Sequence, residues 1–300
     1  MAESNKYLNS SVLGRLMNLP LLARFPMEGS VSGHHKSPHR GSSVEFAEYR
    51  NYVPGDDIRR LDWRVFARTD RFYLKEFEAE TNLRCYLVLD CSGSMKFGTT
   101  GEPKIEYGKR LVATLAYLAA HQGDAVGLMC AGEKALVEIP PKRNPVHLKT
   151  LFETLEKAEP RGETGLVPVL HDLAEKVRRR ALVVVVSDFF CDVEALMGCL
   201  QHLRFQKHDL ALFHLLDRAE LNFQFNRPVR FVDLETSMNL VTEPASVRDR
   251  YLEQLRIFLD RLRTGCNEFS ADYREVITDQ SYEQVIAEFL VERSRLASAR

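Results

Sequence analysis

Short apolar runs alternate with amphipathic stretches from Cys85 onward, and this alternation predicts strands separated by helices. The strand candidates are 86–89, 125–130, 135–139, 182–186, 211–216 and 229–232, and helical periodicity covers 104–121, 145–158, 166–179 and 193–206. Most runs lack in-out alternation, which is typical of strands buried on both faces of a parallel sheet. The link between the second and third runs has hairpin length, which predicts one antiparallel edge strand. We therefore expect an open, doubly wound, mostly parallel α/β sheet.

The chain divides by composition into four predicted parts. Residues 1–43 include a Gly-, Ser-, Pro- and His-rich stretch and are expected to be a flexible N-terminal segment. Residues 44–80, dense in charges of both signs, are expected to pack on the core. The α/β domain is expected over 81–240. The remainder, 241–300, is expected to be a C-terminal helical extension with helices at 246–262 and 281–297.

Composition is that of an ordinary globular protein, with 45% hydrophobic and 28% charged residues. The net charge of -1 gives no overall attraction to nucleic acid or to an anionic membrane. No run approaches the roughly 20 apolar residues that span a bilayer, and the first residues lack the features of a signal peptide. We therefore expect a cytoplasmic protein without a transmembrane segment. The six cysteines form no C-x-x-C pair, which disfavours a zinc site.

Oxygen-bearing side chains follow two predicted strands and precede a helix between them. Asp90-x-Ser92-x-Ser94 comes directly after the first core strand, Asp188 follows the fourth, and Thr164 lies in the loop before the helix at 166. Ligands of open α/β sheets bind at the carboxyl ends of the strands, so we expect these side chains to converge. Hard oxygen ligands suit Mg²⁺, with Mn²⁺ or Ca²⁺ as alternative ions. The competing interpretation is that the same residues only cap helices.

These five positions match, in order, the metal-ion-dependent adhesion site of the von Willebrand factor A domain, which the sequence resembles over 81–235. The resemblance implies that the hydroxyls contact the ion directly and that the acids often act through water. It also implies that the sixth position is left for an acidic side chain of a partner protein.

The segment before the core resembles the signature of the domain-of-unknown-function 58 family. The matching positions are Arg50, Tyr52, Pro54, Gly55, Asp56, Asp57, Arg59, Asp62 and Trp63. Members join this signature to a von Willebrand A-like core and are often encoded beside MoxR-type AAA+ ATPases, so the resemblance implies such an ATPase as a partner in assembly or maturation. Interleaved acids and arginines favour internal ion pairs over a nucleic-acid surface. The single tryptophan, Trp63, is expected to anchor the segment in an apolar pocket.

A non-enzymatic, metal-dependent adaptor is the leading hypothesis, because the site combines two acids with three hydroxyls. The alternative is a metal-dependent hydrolase of phosphoesters that uses metal-bound water. That chemistry needs a base, and the two histidines near the core helices, His121 and His171, fall within helical patterns. No P-loop and no nucleophile elbow occurs in the chain. A scaffold with a vestigial site is a third hypothesis.

Overall fold

The structure is a computed structural model that describes residues 6–24, 35–36, 45–51, 62–69, 71–78, 80–81, 83–99, 101–132, 137–225, 227, 229–236 and 238–298. It contains two compact units: Met1–Arg24 with Arg84–Arg300 form the first, and Phe25–Leu83 form the second. The larger unit contains every strand predicted from Cys85 onward.

The strands are β1 (His35–Lys36), β2 (Glu45–Asn51), β3 (Tyr73–Glu78), β4 (Glu80–Thr81), β5 (Arg84–Asp90), β6 (Ala125–Ala131), β7 (Val137–Lys142), β8 (Leu182–Ser187), β9 (Asp209–Leu216), β10 (Val229–Val232), β11 (Asn239–Thr242) and β12 (Asp272–Ile277). The helices are α1 (Ser10–Leu16), α2 (Trp63–Thr69), α3 (Lys104–His121), α4 (Pro145–Lys157), α5 (Leu166–Lys176), α6 (Val193–Phe205), α7 (Arg218–Asn222), α8 (Pro244–Glu268) and α9 (Tyr282–Ser298).

Six strands form the central sheet in the order β12-β9-β8-β5-β6-β7. All neighbours are parallel except β6 and β7, so the predicted α/β sheet with one antiparallel edge strand is confirmed. Strands β6, β8 and β9 are buried along their whole length, as unalternating apolar runs predict. Strands β6 and β7, which follow β5 in the chain, lie on one side of it in the sheet, and β8, β9 and β12 lie on the other side. The order therefore reverses between β5 and β8, which is where such sheets bind ligands.

The sixth strand of this sheet comes from the polar segment between the two predicted C-terminal helices. Strand β12 pairs in parallel with β9 from Asp272 to Ile277, so the extension over 241–300 contributes a strand that was not predicted. Polar residues along β12 concealed it, because most of its side chains are only half-buried. Helix α8 contains the predicted helix at 246–262, and α9 matches the predicted helix at 281–297 to within one residue at each end. The last predicted strand, β10, pairs with β11 in a separate two-stranded sheet.

Residues near the N-terminus also differ from the expected flexible segment. Helix α1 begins after Asn9, whose side chain accepts a hydrogen bond from the backbone N–H of Ser11. Leu13, Leu16 and Leu21 are buried, and α1 packs against α3 and α9. Burial of this apolar face explains why residues 6–24 belong to the larger unit. The rest of 1–43, apart from β1, lies outside the described residues.

The smaller unit contains β1 paired with β4, β2 paired with β3, and the short helix α2. Arg50 lies in β2, and Asp62 is buried at the start of α2, where it accepts a hydrogen bond from the N–H of Val65. Trp63 is 59% exposed and meets Phe66 edge to face, so its predicted anchoring in an apolar pocket is wrong. The other signature positions, Tyr52, Pro54, Gly55, Asp56, Asp57 and Arg59, lie outside the described residues.

None of the helices in the described part of the chain combines the length and the hydrophobicity that a bilayer crossing requires.

Candidate metal centre

Two carboxylates lie at the carboxyl ends of the two adjacent strands where the strand order reverses. Asp90 is the last residue of β5, and Asp188 directly follows β8; both are buried. The hydroxyl of Ser187 links the two strand ends. It donates to Oδ2 of Asp90 at 2.5 Å and accepts from the N–H of Phe189 at 2.8 Å. The sheet thus brings together the two acids that the sequence placed at strand ends.

The turn after β5 adds two hydroxyls to this place. The backbone N–H of Ser92 donates to Oδ1 of Asp90 at 2.9 Å, which folds the turn back over the strand end. The Oγ atoms of Ser92 and Ser94 are 3.0 Å apart. Ser92 is fully buried, and its side chain caps no backbone group of the short 3-10 helix that follows. The helix-cap interpretation therefore fails for Ser92.

Thr164 brings the third hydroxyl from the loop before α5. Its Oγ1 lies 3.5 Å from Oδ2 of Asp90 and also accepts from the N–H of Leu166 at 3.3 Å. Arg161 holds the loop in place, because its backbone N–H donates to the carbonyl of Cys91 at 2.9 Å. Thr164 therefore contributes to the helix start and faces Asp90 as well. Helix α6, which follows Asp188, is capped by Asp192 instead.

Gly93 allows the turn to pass close to two other segments. Its N–H donates to the carbonyl of Gly162 at 2.8 Å. A Cβ atom at this position would lie 2.2 Å from the carbonyl oxygen of Leu234, which belongs to the turn between β10 and β11. Any side chain would collide with that turn. The glycine between the two serines is thus required by packing as well as by the bend.

One positively charged residue of the site, a buried lysine, was not predicted from the sequence. Lys104, the first residue of α3, is fully buried, and its Nζ donates to Oδ2 of Asp188 and to Oε1 of Glu220, each at 2.7 Å. Burial opposes its charged form, but the charges of Asp188 and Glu220 outweigh burial and raise the pKa of Lys104. A lysine in the first turn opposes the helix dipole. That mismatch was the one signal in the sequence for an unusual role.

Excess negative charge remains around Asp90. Burial, followed by the charge of Asp188, raises the pKa of Asp90 to about 6, although hydrogen bonds from Ser187 and Ser92 act in the opposite direction. Two further carboxylates, those of Glu220 and Glu235, also interact with the charge of Asp188. The carboxylates of Asp90, Asp188 and Glu220 therefore lie in a desolvated region in which Lys104 supplies the ammonium group, and the half-buried Glu235 lies beside it.

Glu235 lies in the turn between β10 and β11 and was not predicted from the sequence. Burial raises its pKa, and the charges of Asp188 and Asp233 add to this, while the Ser94 side chain and the Thr164 backbone lower it. Its Oε1 is buried without a hydrogen-bond partner among the described residues. The carboxylate is thus next to two of the predicted metal ligands.

His214 is a buried histidine beside the site that the sequence did not reveal. It pairs with Ser187 in the β8–β9 register, and its Nδ1 is 2.7 Å from the hydroxyl of Tyr273. Burial lowers its pKa to about 3, so the ring is neutral at physiological pH. His121 and His171, by contrast, are exposed on helices, as their positions in helical patterns predict.

The donor set fits a small, hard dication. Two carboxylates and three hydroxyls offer only oxygen, and Mg²⁺ prefers oxygen ligands in an octahedron with several waters. Among the described residues there is no cluster of three or more histidines, cysteines or acids that could hold a metal. The hydroxyl groups at this sheet edge are thus what distinguishes this donor set from a histidine, cysteine or carboxylate site.

Comparison with known proteins gives one family and several relatives. A family model described as "Protein of unknown function DUF58" matches residues 48–257. The uncharacterized protein Rv1480 of Mycobacterium tuberculosis is 28% identical over 95% of this chain and 90% of its own length. The uncharacterized protein YeaD of Bacillus subtilis is 29% identical over 43% of this chain and 30% of its own length.

Solved structures with a similar backbone include an aerotolerance-related membrane protein of Bacteroides fragilis, with a TM-score of 0.48 and 14% identity over 70% of this chain and all of that chain. The VWA domain of SpRpn10 has a TM-score of 0.43 and 13% identity over 72% of this chain and 97% of that domain.

Proposed function

The chain belongs to the DUF58 family of proteins of unknown function, and from this premise we propose that it is a non-enzymatic adaptor that binds a partner protein through a divalent cation. Asp90, Ser92, Ser94, Thr164 and Asp188 hold the ion, with Mg²⁺ as the favoured metal and Mn²⁺ or Ca²⁺ as substitutes. The observation that carries the proposal is the convergence of these oxygens on Asp90 where negative charge is in excess.

A bound dication removes the electrostatic penalty of this arrangement. Burial and the charge of Asp188 disfavour ionisation of Asp90, and a nearby dication reverses that preference. The hydroxyls of Ser92 and Ser94, 3.0 Å apart, supply neutral oxygens that add no further charge. The site therefore combines charged and neutral oxygen ligands, as Mg²⁺ accepts, and does not require the ion to lose all of its water.

The surface beside the site favours a protein as the partner. Hairpin β10–β11 carries exposed apolar side chains: Val232 is 48% exposed, Met238 69% and Val241 71%. Exposed apolar side chains grouped beside a polar site are typical of protein interaction surfaces. We propose a MoxR-type AAA+ ATPase as the partner in assembly or maturation, as the resemblance of the signature segment implies, with an acidic side chain of that partner reaching the metal.

Hydrolysis of phosphoesters is less well supported, because metal-bound water needs a base beside it. In the described part of the chain, His214 is the histidine that lies beside the site, and its depressed pKa and complete burial leave it neutral and away from solvent. Lys104 is held as an ammonium ion by two carboxylates. We therefore propose binding as the function of the site.

Metal binding is tested by titrating Mg²⁺ and Mn²⁺ into the purified protein in a calorimeter. Ser92→Ala removes one buried hydroxyl that contacts Ser94 and hydrogen-bonds Asp90, and we expect it to weaken metal binding at least about tenfold. Thr154→Ala is the matched control, since its hydroxyl bonds only to a helix carbonyl on an exposed face. Equal binding by the two variants, or none by the wild-type protein, would contradict the proposal.

Partner binding is tested with a purified MoxR-type ATPase. An ATPase itself needs Mg²⁺ for its nucleotide, so chelation would affect both proteins. The comparison is therefore made between Ser92→Ala and Thr154→Ala at one Mg²⁺ concentration, with the ATPase immobilised and binding followed by surface plasmon resonance. Loss of binding in Ser92→Ala alone is the expected result. Equal binding would show that the metal site does not contact this partner.

A further inference from the structure

The turn between β10 and β11 sits directly on the candidate metal centre. The backbone carbonyl of Leu234 packs so closely against Gly93 that no side chain fits between them. Gly93 lies between the two serines of the site. The turn is therefore positioned over Ser92 and Ser94 by backbone packing, independently of any metal.

The conformation of this turn is fixed by its own hydrogen bonds. Asp233 accepts from the backbone N–H groups of Glu235 at 2.9 Å and Thr236 at 3.4 Å, and from the hydroxyl of Thr236. The N–H of Asp233 donates to the carbonyl of Met238 at 2.8 Å. The residue that follows Leu234 is thus held in one place relative to the site.

That residue is Glu235, and its carboxylate is directed at the metal ligands. It interacts with the side chain of Ser94, with the backbone of Thr164 and with the charge of Asp188. Its Oε1 is buried, and no described residue donates a hydrogen bond to it. A buried carboxylate oxygen without a donor is costly, and a cation held by Ser94 and Asp188 would remove that cost.

We infer that Glu235 joins the hydroxyls of Ser92 and Ser94 as a ligand of the metal and fills, from the same chain, the position that an acidic side chain of the partner would take. In the described part of the chain, Asp90, Asp188 and Glu235 form no three-acid metal cluster by themselves, so the hydroxyls are an essential part of this ligand set. This rests on the proposed function of the site. The hairpin then competes with the partner, and a partner carboxylate binds only after the turn has moved away. Strands β10 and β11 pair only with each other among the described residues, and isolated two-stranded ribbons are marginally stable. Its displacement would break the ring contacts of Phe231 with Phe223 and Phe225, but no strand pairing of the central sheet.

The experiment uses Mn²⁺ as the probe, because its effect on water-proton relaxation reports how many waters the bound ion retains. Glu235→Gln keeps the shape of the side chain and removes its charge, and Glu235→Ala removes both oxygens. We expect Mn²⁺ affinity to fall at least about tenfold in both variants. At saturation, the relaxivity of the Glu235→Ala complex should exceed that of the wild-type complex, since water replaces the lost ligand.

The matched control is Glu253→Gln, which removes the same charge from an exposed position on α8 and should change neither quantity. If Glu235→Gln and Glu235→Ala bind Mn²⁺ with wild-type affinity and relaxivity while Ser92→Ala loses binding, the inference is wrong and the proposed function stands. If the wild-type protein binds no Mn²⁺, both fail. Thermal unfolding of the metal-free variants, followed by circular dichroism, establishes that each is folded.

Discussion

Replacing Asp90 by asparagine should make the metal-free protein more stable at neutral pH. Burial and the charge of Asp188 raise the pKa of Asp90 from 3.8 to about 6. Each pKa unit corresponds to about 1.4 kcal/mol, so keeping this carboxylate ionised in the folded state costs roughly 3 kcal/mol. The amide carries no charge and avoids that cost.

Part of this gain is offset by lost hydrogen bonding. Oδ1 of Asp90 accepts from the N–H of Ser92, and Oδ2 accepts from the hydroxyl of Ser187; in asparagine one of these two positions becomes an NH₂ group, which cannot accept. A lost hydrogen bond of this kind costs about 1 kcal/mol. We therefore expect Asp90→Asn to raise the free energy of unfolding by about 2 kcal/mol above pH 7 when no metal is present.

The sign of the pH dependence follows from the raised pKa. Below about pH 3, Asp90 is protonated in the folded and the unfolded protein, and it contributes no penalty. As the pH rises from the unfolded-state pKa of 3.8 to the folded-state pKa of about 6, the unfolded protein loses this proton while the folded protein retains it, so the wild-type protein loses stability. Asp90→Asn should lack this component of the pH dependence.

The assay is urea unfolding in EDTA at pH 4.5 and pH 7.5, followed by far-ultraviolet circular dichroism. Asp260→Asn, which removes an exposed carboxylate from α8, is the control and should follow the wild-type pH dependence. With Mg²⁺ added, the wild-type protein should regain stability, because the ion binds only the folded state, and Asp90→Asn should not. A variant that is less stable than the wild-type protein at pH 7.5 in EDTA would refute the reasoning.

Two further substitutions test the packing of the site by the same unfolding assay. Lys104→Met leaves the carboxylates of Asp188 and Glu220 buried and unpaired, and we expect it to lower the free energy of unfolding by about 3–5 kcal/mol. Lys176→Met, on the surface, is the control and should not change stability. A similar loss of stability in both variants would contradict the role of Lys104. Gly93→Ala places a methyl group against the β10–β11 turn, so we expect a loss of about 1–3 kcal/mol together with weaker Mn²⁺ binding, and an unchanged Mn²⁺ affinity would show that the turn does not adjoin the metal.

The hydrophobic pattern of the sequence predicted five of the six strands of the central sheet but not the edge strand β12. Strands β5, β6, β8 and β9 are mainly apolar and almost entirely buried, as expected for strands that are covered on both faces, and their sequences show it directly. Strand β12 is an edge strand with largely half-buried residues, so polar side chains are compatible with its position. Its assignment depends on pairing with β9, a long-range contact that local patterning does not encode.

Some residues of the candidate site could likewise be predicted from the sequence, and others could not. The positions of Asp90 and Asp188 follow from two rules that are visible in the sequence, a strand ending in an acid and binding at strand ends. Lys104 and Glu235 reach the site from a helix start and a hairpin turn, elements whose placement depends on the complete fold. No local motif marks Glu235, because its role depends on the contact between Leu234 and Gly93.

The charge of the metal site explains why a partner carboxylate would replace Glu235 rather than bind in addition to it. With the dication bound, the charges of four carboxylates are already opposed by only three positive charges, those of the ion and of Lys104, so a fifth carboxylate entering from a partner would add to the excess of negative charge. Exchange of Glu235 for a partner carboxylate leaves the charge unchanged. The free energy required is then that of displacing a two-stranded hairpin, and the exposed apolar residues of that hairpin are available to the partner as it is displaced. The exchange thus gives the partner access to the metal without any increase in buried charge.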